Sequence, residues 1–185
     1  MQWNRHWNLK DKHAFLSASQ YHGINYDNDK LIERYRTWKA AQRGTILHEL
    51  AATLISMGVK LPRSKGTFNQ YVNDCIGFRM KPEQTLYYSE NCFGTADAIS
   101  FKKNQLRIFD LKTGASGDIK QLYIYAALFC LEYNHTPGEI EIELRLYKNN
   151  EVFVENPEAD VILPIMDKIM TFDKILSQIQ SEEED

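Results

Sequence analysis

No Cys-x-x-Cys pair occurs in this 185-residue chain, and its three cysteines, Cys75, Cys92 and Cys130, form an odd, widely spaced set. They match no zinc pattern, so reduced thiols in a cytoplasmic setting are expected. Long apolar runs are missing too. The longest, residues 122–131, is far too short to span a bilayer, and the opening MQWNRHWNLK has no apolar signal core, so no membrane association is expected. His48-Glu49 begins a metalloprotease-like pattern, but Ala52 stands where H-E-x-x-H needs its second imidazole, which excludes that class. No repeat or low-complexity linker divides the chain. With 43% apolar and 12% aromatic residues, it is expected to be one globular domain over residues 1–180. Residues 1–16 read as a polar arm bearing Trp3, Trp7 and Phe15, and 181–185 as an acidic disordered tail.

A strong net charge of either sign is also lacking, at −3, but the distribution is uneven. Residues 1–81 hold 13 Lys/Arg against 6 Asp/Glu, whereas residues 82–185 hold 9 against 19. A basic first half can track a phosphate backbone; unevenly solvated faces would give the same count. Arg34, Arg36, Lys39 and Arg43 are the candidates for phosphate contact.

What the chain does have lies between Phe93 and Cys130. Two apolar runs flank Lys103-Asn104, the pattern of a β-hairpin with a two-residue turn. That turn opposes Phe101 to Leu106, Ile99 to Ile108, and Asp97 to Asp110, on one sheet face with Lys112 next along it. Opposed Cβ atoms lie roughly 4.5–5.5 Å apart, where like charges destabilise. A divalent cation between the two carboxylates is the economical explanation, since hard cations take carboxylate oxygens. An ammonium about 6.6 Å further along the strand can orient a metal-bound water or stabilise charge on a phosphoryl group. A solvated strand edge is the plainer alternative for Asp110 and Lys112.

Asp97 followed by Asp110-Leu111-Lys112 resembles the signature of the PD-(D/E)xK nuclease superfamily. Gly94-Thr95-Ala96-Asp97, Asp110-Leu111-Lys112-Thr113-Gly114 and Gln121-Leu122-Tyr123-Ile124-Tyr125 resemble its RecB-like, phage-exonuclease branch. Gly44-Thr45-Ile46-Leu47-His48 matches the G-x-x-x-H context upstream, so the resemblance spans residues 44 to 130 in family order. Ala96 replaces the proline of the signature. The resemblance implies an α/β fold with a restriction-endonuclease-like core, a central mixed β-sheet flanked by α-helices. It implies Mg²⁺- or Mn²⁺-dependent hydrolysis of DNA by one or two ions. The metal ligands would be His48, Asp97, Asp110 and the Leu111 carbonyl, and an imidazole favours Mn²⁺. Lys112 would position the attacking water, and Gln121 and Tyr125 would organise the site. Three cysteines cannot reproduce the four-cysteine iron–sulfur cluster of some relatives, so none is expected. The expected activity is an exonuclease in recombination, repair or phage DNA processing. DNA and a recombination or replication protein would be its partners, in the cytoplasm (of the host cell if phage-encoded). An endonuclease of the same fold and a non-catalytic DNA-binding accessory module are the alternatives.

Several of these residues have structural readings as well. Asp118-x-x-Gln121 fits a capping box, Tyr125 one turn later fits an aromatic core, and His48 fits an apolar helix face. Glu83 and Glu90 are candidates for a further acid near the site, with Glu90 preferred for its place just before the Asp97 strand. Helices are expected from Ser17, from Asp27 to Met57, over 67–78, 118–133 and 158–179, and strands over 83–90, 139–147 and 151–154.

Overall fold

The computed structural model describes residues 4–7, 12–114 and 117–183. The chain divides into two compact units, Met1–Arg43 and Gly44–Asp185, where the sequence reads as one domain over 1–180. The first unit holds a 3₁₀ helix, Ala18–Asn25, and the start of α1, Asn28–Met57. Asp27 caps α1 by accepting the Lys30 amide at 2.8 Å. Phe15 packs edge-on to Tyr35, with ring centroids 5.2 Å apart, and against Trp38. Arg34, Arg36, Lys39 and Arg43 are exposed. Trp3, part of the expected arm, lies outside the described residues.

The second unit is α/β. After α1 come α2 (Thr67–Gly77), β1 (Lys81–Ser89), β2 (Cys92–Lys102), β3 (Gln105–Leu111), α3 (Lys120–Tyr133), β4 (Glu141–Lys148), β5 (Glu151–Glu155) and α4 (Ala159–Glu183). The five strands form one mixed sheet in the order β1-β2-β3-β4-β5. β3 and β4 are parallel and the other pairs antiparallel. A parallel neighbour needs a crossover, which α3 supplies. Lys103 and Asn104 both take positive φ, 52° and 59°, as do Asn149 and Asn150 in the β4–β5 turn. Such turns match the twist of the flanking strands. The expected pairs Phe101–Leu106 and Ile99–Ile108 are both present.

Each sheet face carries its own core. On one, Leu86, Ile99, Leu106, Ile108 and Leu144 pack against Leu122, Ala126 and Phe129 of α3 and Ile162 and Ile169 of α4. On the other, Ala98, Phe109, Leu111 and Tyr147 pack against Ala51 and Ile55 of α1 and Val72 and Cys75 of α2. Leu50 of α1 is exposed. The expected acidic tail is corrected in part: α4 continues through Ser181 to Glu183, and residues 184–185 lie outside the described residues. Among the described residues no helix is long and apolar enough to cross a membrane.

Candidate functional site

The hairpin ladder runs from Lys102–Gln105 to Ala98–Phe109. One residue beyond it, the Asp97 carboxylate accepts the Leu111 amide at 2.9 Å. The neighbouring pairing explains this departure. Pro82 faces Ala98 and Gln84 faces Ala96, so Glu83 lies against Asp97. Glu83 has φ 49°, in the left-handed region that a non-glycine residue seldom takes within a strand. Alternation of faces fails at the same place: Ala96 belongs to the α3-side core and Ala98 to the α2-side core. The single-face arrangement of Asp97, Asp110 and Lys112 expected from strict alternation is interrupted here.

The interruption brings Asp97 to α1. His48 Nδ1 lies 3.2 Å from Asp97 Oδ2. One turn earlier, a Cβ on Gly44 would sit 3.0 Å from Thr113 Oγ1, so a glycine permits close approach between α1 and the segment after Lys112. Gly44 does not break the helix. His48, Glu83 and Asp97 each offer a ligand atom, all within 4.8 Å of one another, a group able to hold a metal ion. Hydrogen bonding to Asp97 raises the His48 pKa, against the opposing effect of burial. Burial, followed by the Asp97 charge, pushes the Glu83 carboxyl up.

Asp110 is only 2% exposed. Lys112 Nζ donates to its Oδ1 at 3.1 Å and lies 2.9 Å from Oδ2. That second contact is an ion pair without hydrogen-bond geometry, so buried Oδ2 has no hydrogen-bond partner. Desolvation and the Asp97 charge raise the Asp110 pKa, and Lys112 opposes them. Asp110, expected among the metal ligands, thus stands outside the group of His48, Glu83 and Asp97, with its charge met by Lys112. The two carboxylates and one imidazole of that group fit a hard divalent cation.

A polar chain then links α3 to the hairpin. Lys112 Nζ donates to Gln121 Oε1 at 2.9 Å, Gln121 Nε2 donates to the Tyr125 hydroxyl at 3.1 Å, and that hydroxyl donates to the Thr95 carbonyl at 2.7 Å. A Cβ on Gly94 would stand 3.0 Å from the Tyr125 ring. Burial raises the Tyr125 pKa. Gln121 therefore makes no capping box; Asp118 accepts the Lys120 amide instead.

Seven candidates thus converge: His48, Asp97, Asp110, Leu111, Lys112, Gln121 and Tyr125. For Leu111 the visible contribution is its amide on Asp97. Among the two further acids the preference reverses. Glu83 joins the metal-binding group, whereas Glu90 accepts the Tyr87 hydroxyl at 3.2 Å and stands outside it. Comparison with known proteins finds no matching family model and no matching curated protein.

Proposed function

We propose that this protein is a divalent-metal-dependent DNA nuclease with a restriction-endonuclease-like, PD-(D/E)xK core, most simply an exonuclease of recombination, repair or phage DNA processing. The observation that carries the reading is the adjacency of two assemblies. One is His48, Glu83 and Asp97, and the other is Lys112 held between buried Asp110 and Gln121. Carboxylates and one imidazole suit Mg²⁺ or Mn²⁺, with Asp97, His48 and Glu83 as the holders and Asp110, paired with Lys112, in the field of Asp97 and His48. Bound there, the ion supplies Lewis-acid polarisation of a phosphoryl oxygen and a more acidic coordinated water.

The chain's own groups do the rest. Asp110 and Gln121 fix the Lys112 ammonium from two sides, which leaves a third donor for a water or a phosphate oxygen. Gln121 is itself held by Tyr125, and Tyr125 by the Thr95 carbonyl, so the ammonium sits on a braced polar chain. Bracing before substrate arrives is what electrostatic stabilisation of phosphoryl transfer requires.

The test is cleavage of end-labelled linear DNA beside closed circular DNA, with Mg²⁺, Mn²⁺ or EDTA, and Lys112→Ala as control. Metal-dependent loss of linear DNA alone, abolished in the variant, is expected. Cutting of circles turns the reading to an endonuclease. DNA binding without cleavage under either metal refutes the enzyme and leaves an accessory module.

A further inference from the structure

Apolar residues along α4 recur at Ile162, Ile165, Ile169, Phe172, Leu176 and Ile179, in steps of three and four. This is the core stripe of a coiled coil. Its first half is used internally: Ile162 and Ile169 are buried against α3 and the sheet. Its second half is bare, with Phe172 59%, Leu176 43% and Ile179 45% exposed, and Ile175 beside them 47% exposed. This half is anchored. Asp173 accepts from Ser89 Oγ at 2.5 Å and from Asn91 Nδ2 at 3.2 Å, and Gln180 Nε2 donates to Asn91 Oδ1 at 3.0 Å. Those bonds pin one edge of α4 to the β1–β2 turn and leave the apolar edge open. Between α3 and α4 runs a groove of about 580 Å³, lined by Tyr123, Ile124, Ile165, Ile169, Phe172 and Leu176 among others.

The charges beside the stripe identify what covers it. Lys168, Ile175 and Glu182 are seven residues apart, and so share one flank of the stripe. Lys168 and Glu182 are separated by about 21 Å along the helix, too far to pair within one copy. Rotating a second helix by a two-fold axis through Ile175 reverses the order. Lys168 then meets the partner's Glu182, and Ile175 meets its own mate. A parallel pairing would instead set this flank against the opposite edge of the partner helix, where Asp173 and Gln180 are already bonded to Ser89 and Asn91. We propose that the bare half of α4 is a self-association surface on which two copies of this chain pair antiparallel about Ile175. Phe172 packs on the partner's Leu176, and the partner's Ile179 enters the groove near Ile169. Such an interface is isologous and closes at two copies.

Analytical ultracentrifugation of the full chain over a dilution series tests this, with circular dichroism melts to show that each variant folds. A reversible dimer is expected. Ile175→Glu sets two like charges together on the axis and raises the dissociation constant by about tenfold or more. Lys168→Glu and Glu182→Lys each weaken the dimer, and the double exchange restores it. After mild oxidation Ile175→Cys cross-links into a dimer, whereas Ser177→Cys, exposed and about 200° round the helix from Ile175, does not. A monomer at every concentration overturns the proposal and leaves the face to a helix of another protein. A double exchange as weak as its single parents overturns the antiparallel pairing.

Discussion

Replacing Glu83 with glycine is expected to stabilise the metal-free protein and to cripple its response to metal. Glu83 sits in β1 at φ 49°, a conformation that costs a non-glycine residue roughly 1–2 kcal/mol. Glycine adopts it freely but gives back roughly 0.5–1 kcal/mol through its looser unfolded chain. The net gain is about 0.5–1 kcal/mol, and loss of the like charge facing Asp97 acts in the same direction. For a domain of this size about 1 kcal/mol moves the melting temperature by roughly 2–4 °C. With Mn²⁺ the sign reverses. At about a 100-fold excess over its dissociation constant, a ligand bound only to the folded state adds roughly 2.7 kcal/mol. If loss of one of three ligands weakens binding about 100-fold, the same Mn²⁺ concentration adds only about 0.4 kcal/mol.

The assay is differential scanning fluorimetry in EDTA and in Mn²⁺, with Glu83→Ala alongside. Alanine removes the carboxylate but keeps the backbone strain, so it loses the Mn²⁺ shift and, in EDTA, lacks the part of glycine's gain that comes from relieved strain. The reasoning fails if Glu83→Gly melts below the wild type in EDTA, or if its Mn²⁺ shift equals that of the wild type. Neither outcome depends on catalytic activity.

Three other perturbations bear on the same framework. The raised pKa of His48 means its contact with Asp97 stabilises the metal-free fold fully below pH 6.5 and less as pH climbs through the folded value. Metal binding has the opposite slope, weakening by up to about tenfold per unit as the pH drops below that folded value. Melts in EDTA and in Mn²⁺ should therefore diverge as pH rises above 6.5, and His48→Asn should remove the divergence. In Gly117→Ala, a Cβ would fall 2.6–2.8 Å from the Lys112 stem at a backbone φ of 127°. The ammonium must shift from Asp110 and Gln121, and cleavage should fall by about 100-fold with little change in DNA affinity; wild-type turnover would refute the placement. Tyr147→Phe removes a hydroxyl donated to Asp74 at 2.7 Å and should cost about 1 kcal/mol in denaturant melts. An unchanged midpoint would show that water replaces the bond.

The β2–β3 hairpin was legible because Lys103-Asn104 admits one turn geometry, and that turn sets the register for five pairs. The parallel β3–β4 pairing followed from the helical stretch between them. Glu83 was a candidate but ranked behind Glu90, and the cause is one residue long. Counting outward from Ser89–Cys92, unbroken pairing would set Gln84 against Asp97. The register shifts between Tyr87 and Ser89, and from there inward Glu83 takes that place. Nothing in Tyr87-Tyr88-Ser89 announces the irregularity. Glu90 was favoured because it is nearer to Asp97 in sequence, but it falls on the turn and bonds back to Tyr87. Gln121 was ambiguous for a different reason. A capping box and a site bond use the same side chain, and only the position of Lys112 decides between them.

That small irregularity explains why the site stands where it does. β3 ends at Leu111, where the chain leaves the sheet for its crossover through α3, and ligand sites in α/β sheets favour the carboxyl ends of strands. A regular β2 would place Asp97 beside Asp110 on the α3-side face, two carboxylates with only Lys112 to offset them. With β1 in the left-handed region at Glu83, Asp97 instead accepts the Leu111 amide and approaches His48 on α1. Asp110 stays buried with Lys112 and α3. The acids are thereby divided between two supports, an imidazole for one and an ammonium for the other, and the metal-binding group forms on the imidazole side with Glu83 rather than Asp110. Strain in β1 is the cost of that division, which is why relaxing it should strengthen the empty fold and weaken the metal-loaded one.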